Sequence, residues 1–262
     1  MKNLLDTFIP ISLDEMSDIR LMNRTDTKFV TTLPLLRQLL EMARDSYRVQ
    51  EIEGNRLANY YTLYFDTPDH AMYLAHHNGR ANRQKLRVRA YVDSGLSFLE
   101  VKTKNNHLRT NKKRVVAQHF DPLHPDYDYF RRSMTDEWAE ENRALIRKQL
   151  RGEHLMLPKT ENYFQRITLV NNRKTERLTI DLGLKFRNII SDRQITLDNI
   201  AIIELKRDGL QHSPILELLR QLRIKPMGFS KYCMSMAMTN EALKQNRFKP
   251  RLHAISKMML LT

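Results

Sequence analysis

The sequence predicts an α+β fold: an antiparallel β-barrel forming a tunnel, charged inside and covered outside by peripheral helices. Three observations point to it. First, short segments alternate charged with apolar residues: Lys85-Leu86-Arg87-Val88-Arg89, Glu100-Val101-Lys102-Thr103-Lys104, Arg177-Leu178-Thr179-Ile180-Asp181 and Ile203-Glu204-Leu205-Lys206. Successive strand side chains point to opposite faces, so the charges of each segment share one face and the apolar residues share the other. Second, those charges are mostly basic. Two like charges about 6 Å apart repel by roughly 3 kcal/mol at an effective dielectric near 20, so a dense basic face calls for an anion to neutralise it. Third, helix-patterned segments lie between the strands, as the cover an apolar outer wall needs. Small barrels usually fill their interiors with apolar side chains, so a charged interior implies a solvated tunnel that holds a ligand.

Taken in order, residues 12–20 read as a short helix with Ser12 and Glu15 as a capping box. Residues 26–30 read as a strand. Residues 34–46 read as a helix opened by Pro34, with Leu35, Leu36, Leu39, Leu40 and Met42 on one side. Strands follow at 57–65, 84–92, 97–104 and 112–118, divided by the turn-forming Thr67-Pro68-Asp69, Asp93-Ser94-Gly95 and Lys104-Asn105-Asn106. Residues 126–152 read as helical, burying Trp138, Leu145, Ile146 and Leu150. Strands return at 162–171, 176–186 and 199–207, and helices close the chain at 213–223 and 230–245. No repeat or low-complexity linker interrupts the pattern, so residues 1–262 read as one domain with a core at about 20–240.

Composition narrows the ligand. Forty-four Lys and Arg stand against 30 Asp and Glu, a formal net charge of +14, which suits polyanions. The single Cys233 excludes an internal disulfide and a cysteine-based zinc site. The histidines lack metal-ligand spacing. Met234, Met236 and Met238 read as packing, and Tyr60, Tyr61 and Tyr64 read chiefly as core, with one of them a candidate base-stacking platform. No basic helix, aromatic RNA-binding strand or zinc finger is present, which argues against nucleic acid. The first residues carry no apolar stretch and no apolar run approaches 18 residues. The expectation is a soluble cytoplasmic chain without a transmembrane segment, at most peripheral to a membrane.

Seven motifs in order, Arg24-Thr25-Asp26-Thr27-Lys28-Phe29, Leu86-Arg87-Val88-Arg89, Leu99-Glu100-Val101-Lys102, Tyr163-Phe164-Gln165-Arg166, Leu178-Thr179-Ile180-Asp181, Ile203-Glu204-Leu205-Lys206 and Phe229-Ser230-Lys231-Tyr232, resemble the polyphosphate polymerase domain of the vacuolar transporter chaperone (VTC) family. That domain is one of the CYTH-like triphosphate tunnel metalloenzymes. The resemblance covers roughly residues 20–240. It implies a tunnel that binds ATP and a growing polyphosphate, with Mn²⁺ or Mg²⁺ as cofactor. It carries catalytic phosphate contacts onto Lys28, Arg87, Arg89, Lys102, Arg166, Lys206 and Lys231, and substrate contacts onto Arg24, Lys113, Arg177 and Ser230. Metal binding falls to Glu204, with Asp181 and Glu100 as further carboxylates. Because this chain has no membrane span of its own, the resemblance also implies a separate membrane partner as one arrangement.

One departure bears on the reaction. Hydrolytic tunnel enzymes typically open on a Glu-x-Glu-x-Lys strand, whereas here the strand reads Arg24-x-Asp26-x-Lys28. An arginine in place of a carboxylate weakens a two-metal hydrolytic site and adds a phosphate contact. That favours transfer of the terminal phosphoryl of ATP to polyphosphate over hydrolysis of triphosphate or polyphosphate by the same fold. A non-catalytic module binding polyphosphate or inositol phosphate is the reading from another class, and a carboxylate in a basic site argues against it. Fold alone does not decide among these.

Overall fold

The computed structural model describes residues 1–17, 24–106, 110–151, 155–209 and 212–260, without the side chains of Ser17, Arg24 and Asp208. Its strands are β1 (Ile9–Ile11), β2 (Arg24–Thr32), β3 (Tyr47–Gln50), β4 (Ala58–Asp66), β5 (Arg83–Tyr91), β6 (Leu96–Lys104), β7 (Thr110–Val116), β8 (Leu157–Asn171), β9 (Glu176–Asn188), β10 (Gln194–Leu197) and β11 (Ile200–Asp208). The helices are α1 (Lys2–Leu5), α2 (Leu13–Ser17), α3 (Leu33–Ala43), α4 (Ala71–His77), α5 (Tyr129–Thr135), α6 (Glu140–Gln149), α7 (Pro214–Gln221), α8 (Lys231–Thr239) and α9 (Lys249–Met259).

The strands form one sheet with the order β2-β11-β9-β8-β4-β5-β6-β7, antiparallel along this path, with β1, β3 and β10 appended. The expected antiparallel, helix-covered tunnel is present in outline, but hydrogen bonds do not close it: among the described residues β2 and β7 are edges. The free edge of β2 is taken instead by the chain before α8, where Pro226 bridges Phe29 and the Met227 N–H donates to the Lys28 carbonyl at 2.8 Å. At the other edge, Lys112, Lys113 and Arg114 put charge on β7, a common device against edge-to-edge pairing.

The convex face is apolar and covered. Leu86, Val88, Leu99 and Val101 are fully buried with Phe130 and Ile146 of α5 and α6. Leu178, Ile180, Ile203 and Leu205 pack with Leu36, Leu39 and Leu40 of α3 and Ile215 and Leu219 of α7. The concave face is divided. Its polar half carries the charged side chains, and its other half, Val30, Phe164, Leu184, Phe186, Ile200 and Ile202, lies beneath Met234 of α8 and Ile255 of α9.

Several elements differ from the expectation. Residues 126–152 hold two helices, because Asp136 adopts an extended backbone and its carboxylate accepts from Arg132 and from Trp138 Nε1. The last expected helix is α8 alone, a turn intervenes, and α9 follows. Helix α4 was not legible, and β8 starts at Leu157 rather than 162. The expected helix at 12–20 is α2, and its capping box is made: the Ser12 N–H donates to Glu15 at 3.0 Å and the Glu15 N–H to Ser12 Oγ at 3.2 Å. Residues 18–20 lie outside the described residues. Met234 and Met236 are buried, as read from the sequence, and Cys233 is buried beside them.

Candidate functional site

Strand parity assembles the site. On β5 the inward positions are Arg83, Lys85, Arg87 and Arg89. Opposite them in register on β6 are Lys104, Lys102, Glu100 and Phe98, and next on β7 Thr110, Lys112, Arg114 and Val116. On the other side of the sheet, Lys28 stands opposite Glu204 and Lys206 opposite Asp26, while Arg166 stands opposite Asp181. The Lys102 ammonium feels Lys28, Glu204, Arg87 and Lys85. Residues of β2, β5, β6 and β11 therefore meet across the concavity, although no backbone pairing joins β2 to β7. Lys28, Arg87, Arg89, Lys102, Arg166, Glu204, Lys206, Asp181, Glu100, Ser230 and Lys231 are brought together.

The carboxylates organise the cations into three groups. Arg87 donates through Nη2 to Glu100 at 2.6 Å and through Nη1 to the Tyr64 hydroxyl at 3.3 Å, and Lys112 donates to the other Glu100 oxygen at 3.1 Å. Burial alone would raise the Glu100 carboxyl, but Arg87, Arg89 and Lys112 overrule it and hold it at about 2. Arg166 grips Asp181 with Nε and Nη2 at 2.6 and 3.0 Å, the bidentate geometry that only a guanidinium offers, and Lys231 donates to the same carboxylate. Glu204 is approached by Lys28 at 3.5 Å and Lys206 at 3.0 Å. Burial opposes ionisation of Glu204 too, yet Lys28, Lys206 and Lys102 keep it well below the usual carboxylate range.

Among the described residues, three further cations, Arg89, Lys102 and Lys85, have no carboxylate hydrogen-bonded to them, and Lys231 is strongly desolvated despite Asp181. Arg89 is 9% exposed, and its buried Nε has no hydrogen-bond partner. Desolvation first, then the neighbouring Arg87, lowers its proton affinity. Lys102 and Lys231 are each pushed down to about 7, chiefly by burial, with Lys28 adding at both. Lys85 donates to Ser230 Oγ at 2.7 Å, and that oxygen also caps α8 by accepting from the Cys233 N–H. The N-terminus of α8 thus faces the cationic wall. Desolvated cations with an orphaned donor make a receptor for an anion rich in acceptor oxygens.

Not every expected residue joins. Lys113 is corrected: it stands in register with Val101, on the opposite face from Lys112, and is exposed. The β6–β7 register sets Lys112 opposite Lys102, so Lys112 takes the inward position. Arg177 shares the face of Lys206 but lies at its end, donating to the Met16 carbonyl at 3.2 Å. Arg24 begins β2, with its side chain outside the described residues. Lys85 was legible from parity, as it sits two residues before Arg87. Tyr60 and Tyr64 point inward, where Arg166 lies 4.9 Å from the Tyr60 ring centre and Arg87 5.9 Å from that of Tyr64, while Tyr61 turns to the outer core.

Metal-binding capacity divides the three carboxylates. Among the described residues no cluster of three His, Cys, Asp or Glu side chains could hold a metal ion. Glu100 is 0% and Asp181 4% exposed, each saturated by cations, whereas Glu204 keeps 16% exposure. Glu204, with Asp26 exposed on the same face opposite Lys206, gives a sparse donor set that suits Mg²⁺ or Mn²⁺ bound largely through substrate phosphates and waters.

The profile of the VTC domain matches residues 23–240, and the chain belongs to that family. No curated protein sequence matches it. Among solved structures it is similar to a putative adenylyl cyclase from Hippeastrum described as revealing a dominant triphosphatase activity, at 14% identity and TM-score 0.42 over 83% of this chain and 97% of that one. It is also similar to the PH1819 protein of Pyrococcus horikoshii, at 12% identity and TM-score 0.41 over 82% and 98%, and to the S. pombe RNA triphosphatase Pct1, at 9% identity and TM-score 0.28 over 92% and 87%. Family membership ties the chain to polyphosphate or triphosphate chemistry. Among the described residues no helix is long and apolar enough to cross a membrane.

Proposed function

We propose that this chain is a metal-dependent polyphosphate polymerase that moves the terminal phosphoryl group of ATP onto a polyphosphate chain held in the basic lumen. The observation that carries the reading is the excess of inward cations over carboxylates, with Arg89 Nε buried and unpartnered. In the reaction the bond from the γ-phosphorus to its bridging oxygen breaks and one to the terminal oxygen of the polyphosphate forms. ADP departs with the bridging oxygen. Phosphoryl transfer of this kind is driven by positioning and charge neutralisation.

Arg87, Arg89 and Arg166 orient the chain by directional contacts, while Lys28, Lys102, Lys206 and Lys231 offset the charge that accumulates on the transferring oxygens. Glu204 would hold the divalent ion together with substrate oxygens, and that ion supplies Lewis-acid polarisation of the phosphates. Glu100 and Asp181 fix Arg87 and Arg166 in place. The acidity of the carboxylates supports transfer to polyphosphate over transfer to water. An ionised polyphosphate terminus needs no base, whereas water does, and a carboxyl held at about 2, as in Glu100, is a poor proton acceptor at neutral pH.

Incubating the purified protein with ATP and Mn²⁺ or Mg²⁺ and resolving the products tests this. Polyphosphate should form with stoichiometric ADP and little free phosphate. Free phosphate in place of polyphosphate would make the chain a hydrolase, and binding of polyphosphate without turnover would make it a binding module. Glu204→Gln should abolish metal-dependent turnover while retaining or tightening polyphosphate binding, because a negative charge leaves a basic site.

A further inference from the structure

Helix α9 lies beyond the segment matched by the family profile, yet it brings a charge to the rim of the lumen. Its entry is pinned to α4. The Phe248 ring meets Tyr73, His76 and His77 edge-on at 5.8, 6.1 and 5.1 Å between centres, and Arg247 Nη1 donates to the Asn78 carbonyl at 2.5 Å. Three residues on, the Arg251 guanidinium lies 5.9 Å from the Phe248 ring centre and beside Gly228, where a Cβ would stand 3.8 Å from it. Gly228 is two residues before the capping Ser230, so Arg251 sits next to the chain that leads into the site.

On the facing wall, Arg83 and Lys104 occupy one register position, in phase with Lys85 opposite Lys102 and Arg87 opposite Glu100. The inward line of cations on β5 therefore continues past the inner site. At a strand rise of about 3.3 Å per residue, Arg83 lies roughly 13 Å from Arg87, beyond a triphosphate anchored on Arg87 and Arg89 but within reach of a longer chain. These rim charges converge on the His76 imidazole. Burial first, then Lys85, Arg83, Arg251 and Lys104, lowers its pKa to about 2. Its buried Nδ1 has no partner. Among the described residues none of Arg83, Lys104 and Arg251 is ion-paired to a carboxylate, unlike Arg87, Arg166 and Lys206.

We propose that Arg83, Lys104 and Arg251 form an outer anion subsite, continuous with the lumen, that holds the trailing phosphates of a polyphosphate too long for the inner site. It rests on the reading of the lumen as a polyphosphate tunnel. The subsite gives the protein a grip that grows with chain length, and the C-terminal helix is part of it.

Equilibrium binding of tripolyphosphate and of long-chain polyphosphate to the full chain, compared across Arg251→Gln, Arg251→Lys and Lys104→Gln, tests this. Losing one charge-assisted contact should weaken the long chain by about tenfold at Arg251→Gln and tripolyphosphate by less than about twofold. Arg251→Lys should recover most of the loss, and Lys104→Gln should repeat the length-dependent pattern from the opposite wall, so the test survives a failure of either glutamine variant to fold. Equal weakening of both ligands, or of neither, overturns the subsite. If the unsubstituted protein binds neither ligand, the tunnel reading itself falls, and the subsite with it.

Discussion

The two halves of the concave face do opposite work. In the polar half, Arg87, Arg89, Lys102 and Lys28 crowd like charges into a desolvated space that carboxylates only partly neutralise. In the other half, Leu184, Phe186, Ile200 and Ile202 are buried beneath α8 and α9. The boundary falls within single strands. On β9 the inward positions run Arg177, Thr179 and Asp181, and then Leu184 and Phe186, a step of three where a regular strand allows two. Gly183, with φ of +56°, and the irregular β8–β9 register between Tyr163 and Gln165 absorb the extra residue. On β9 this bulge turns the charged wall into the apolar floor, while on β2 and β11 the change falls within unbroken parity, between Lys28 and Val30 and between Glu204 and Ile202. The division teaches that the apolar floor carries stability without binding, so stability should fail there with affinity intact, whereas a buried charged residue such as Arg87 carries both.

The largest effect belongs to the apolar floor. Phe186→Ala should destabilise the fold by about 3–5 kcal/mol, measured by denaturant unfolding, with ligand affinity per folded molecule unchanged. A matching loss of affinity would show that the halves are not independent. Next comes Arg87→Ala, which should lower turnover by roughly 10²–10³-fold, as removal of an electrostatic contact to the reacting group does. It should also cost about 3 kcal/mol of stability, because Glu100 is left buried with Lys112 as its only hydrogen-bonded cation. Intact turnover would remove the polar half from the chemistry.

A smaller effect sharpens the comparison through pH. Lys102 titrates near 7 in the free protein because it is buried among cations. Below that pH it is charged and binds phosphate directly. Above it, binding must take up a proton, because a bound anion raises the lysine pKa. Tripolyphosphate affinity should therefore fall as pH rises above 7, by up to about tenfold per unit for each such group, and Lys102→Gln should reduce the slope by one group's share, leaving that of Lys231. A slope unchanged in that variant would assign the proton elsewhere.

Much of this was readable from residue order. Alternation of Arg87 and Arg89 with Leu86 and Val88 fixes which side chains share a face, and it places Glu100, Lys102, Glu204 and Lys206 on that face without any coordinates. Parity fails where the backbone breaks its period. On β9 the apolar floor was hidden because Gly183 changes phase mid-strand. The resemblance carried a substrate contact onto Lys113, which the β6–β7 register turns outward. Helix α4 went unread for another reason. Its first N–H groups are taken by the chain before it rather than by a residue at the helix start: Asp66 accepts from the Met72 and Tyr73 N–H groups at 2.9 Å and Thr67 Oγ1 from the Ala71 N–H at 2.9 Å. Arg251 reaches the rim through tertiary packing of α9 on α4, which no local pattern encodes.

Two adjacent lysines offer the most direct test that the inward face of these strands is the anion-binding surface. Lys112 and Lys113 are both exposed on the same strand, but Lys112 shares the face of Lys102 while Lys113 shares that of Val101. Titration calorimetry of tripolyphosphate against Lys112→Ala and Lys113→Ala should give a loss of about fivefold, near 1 kcal/mol, for the first and less than about twofold for the second. Equal losses at the two positions would mean diffuse attraction to a basic surface, and would contradict a ligand held on the inward face.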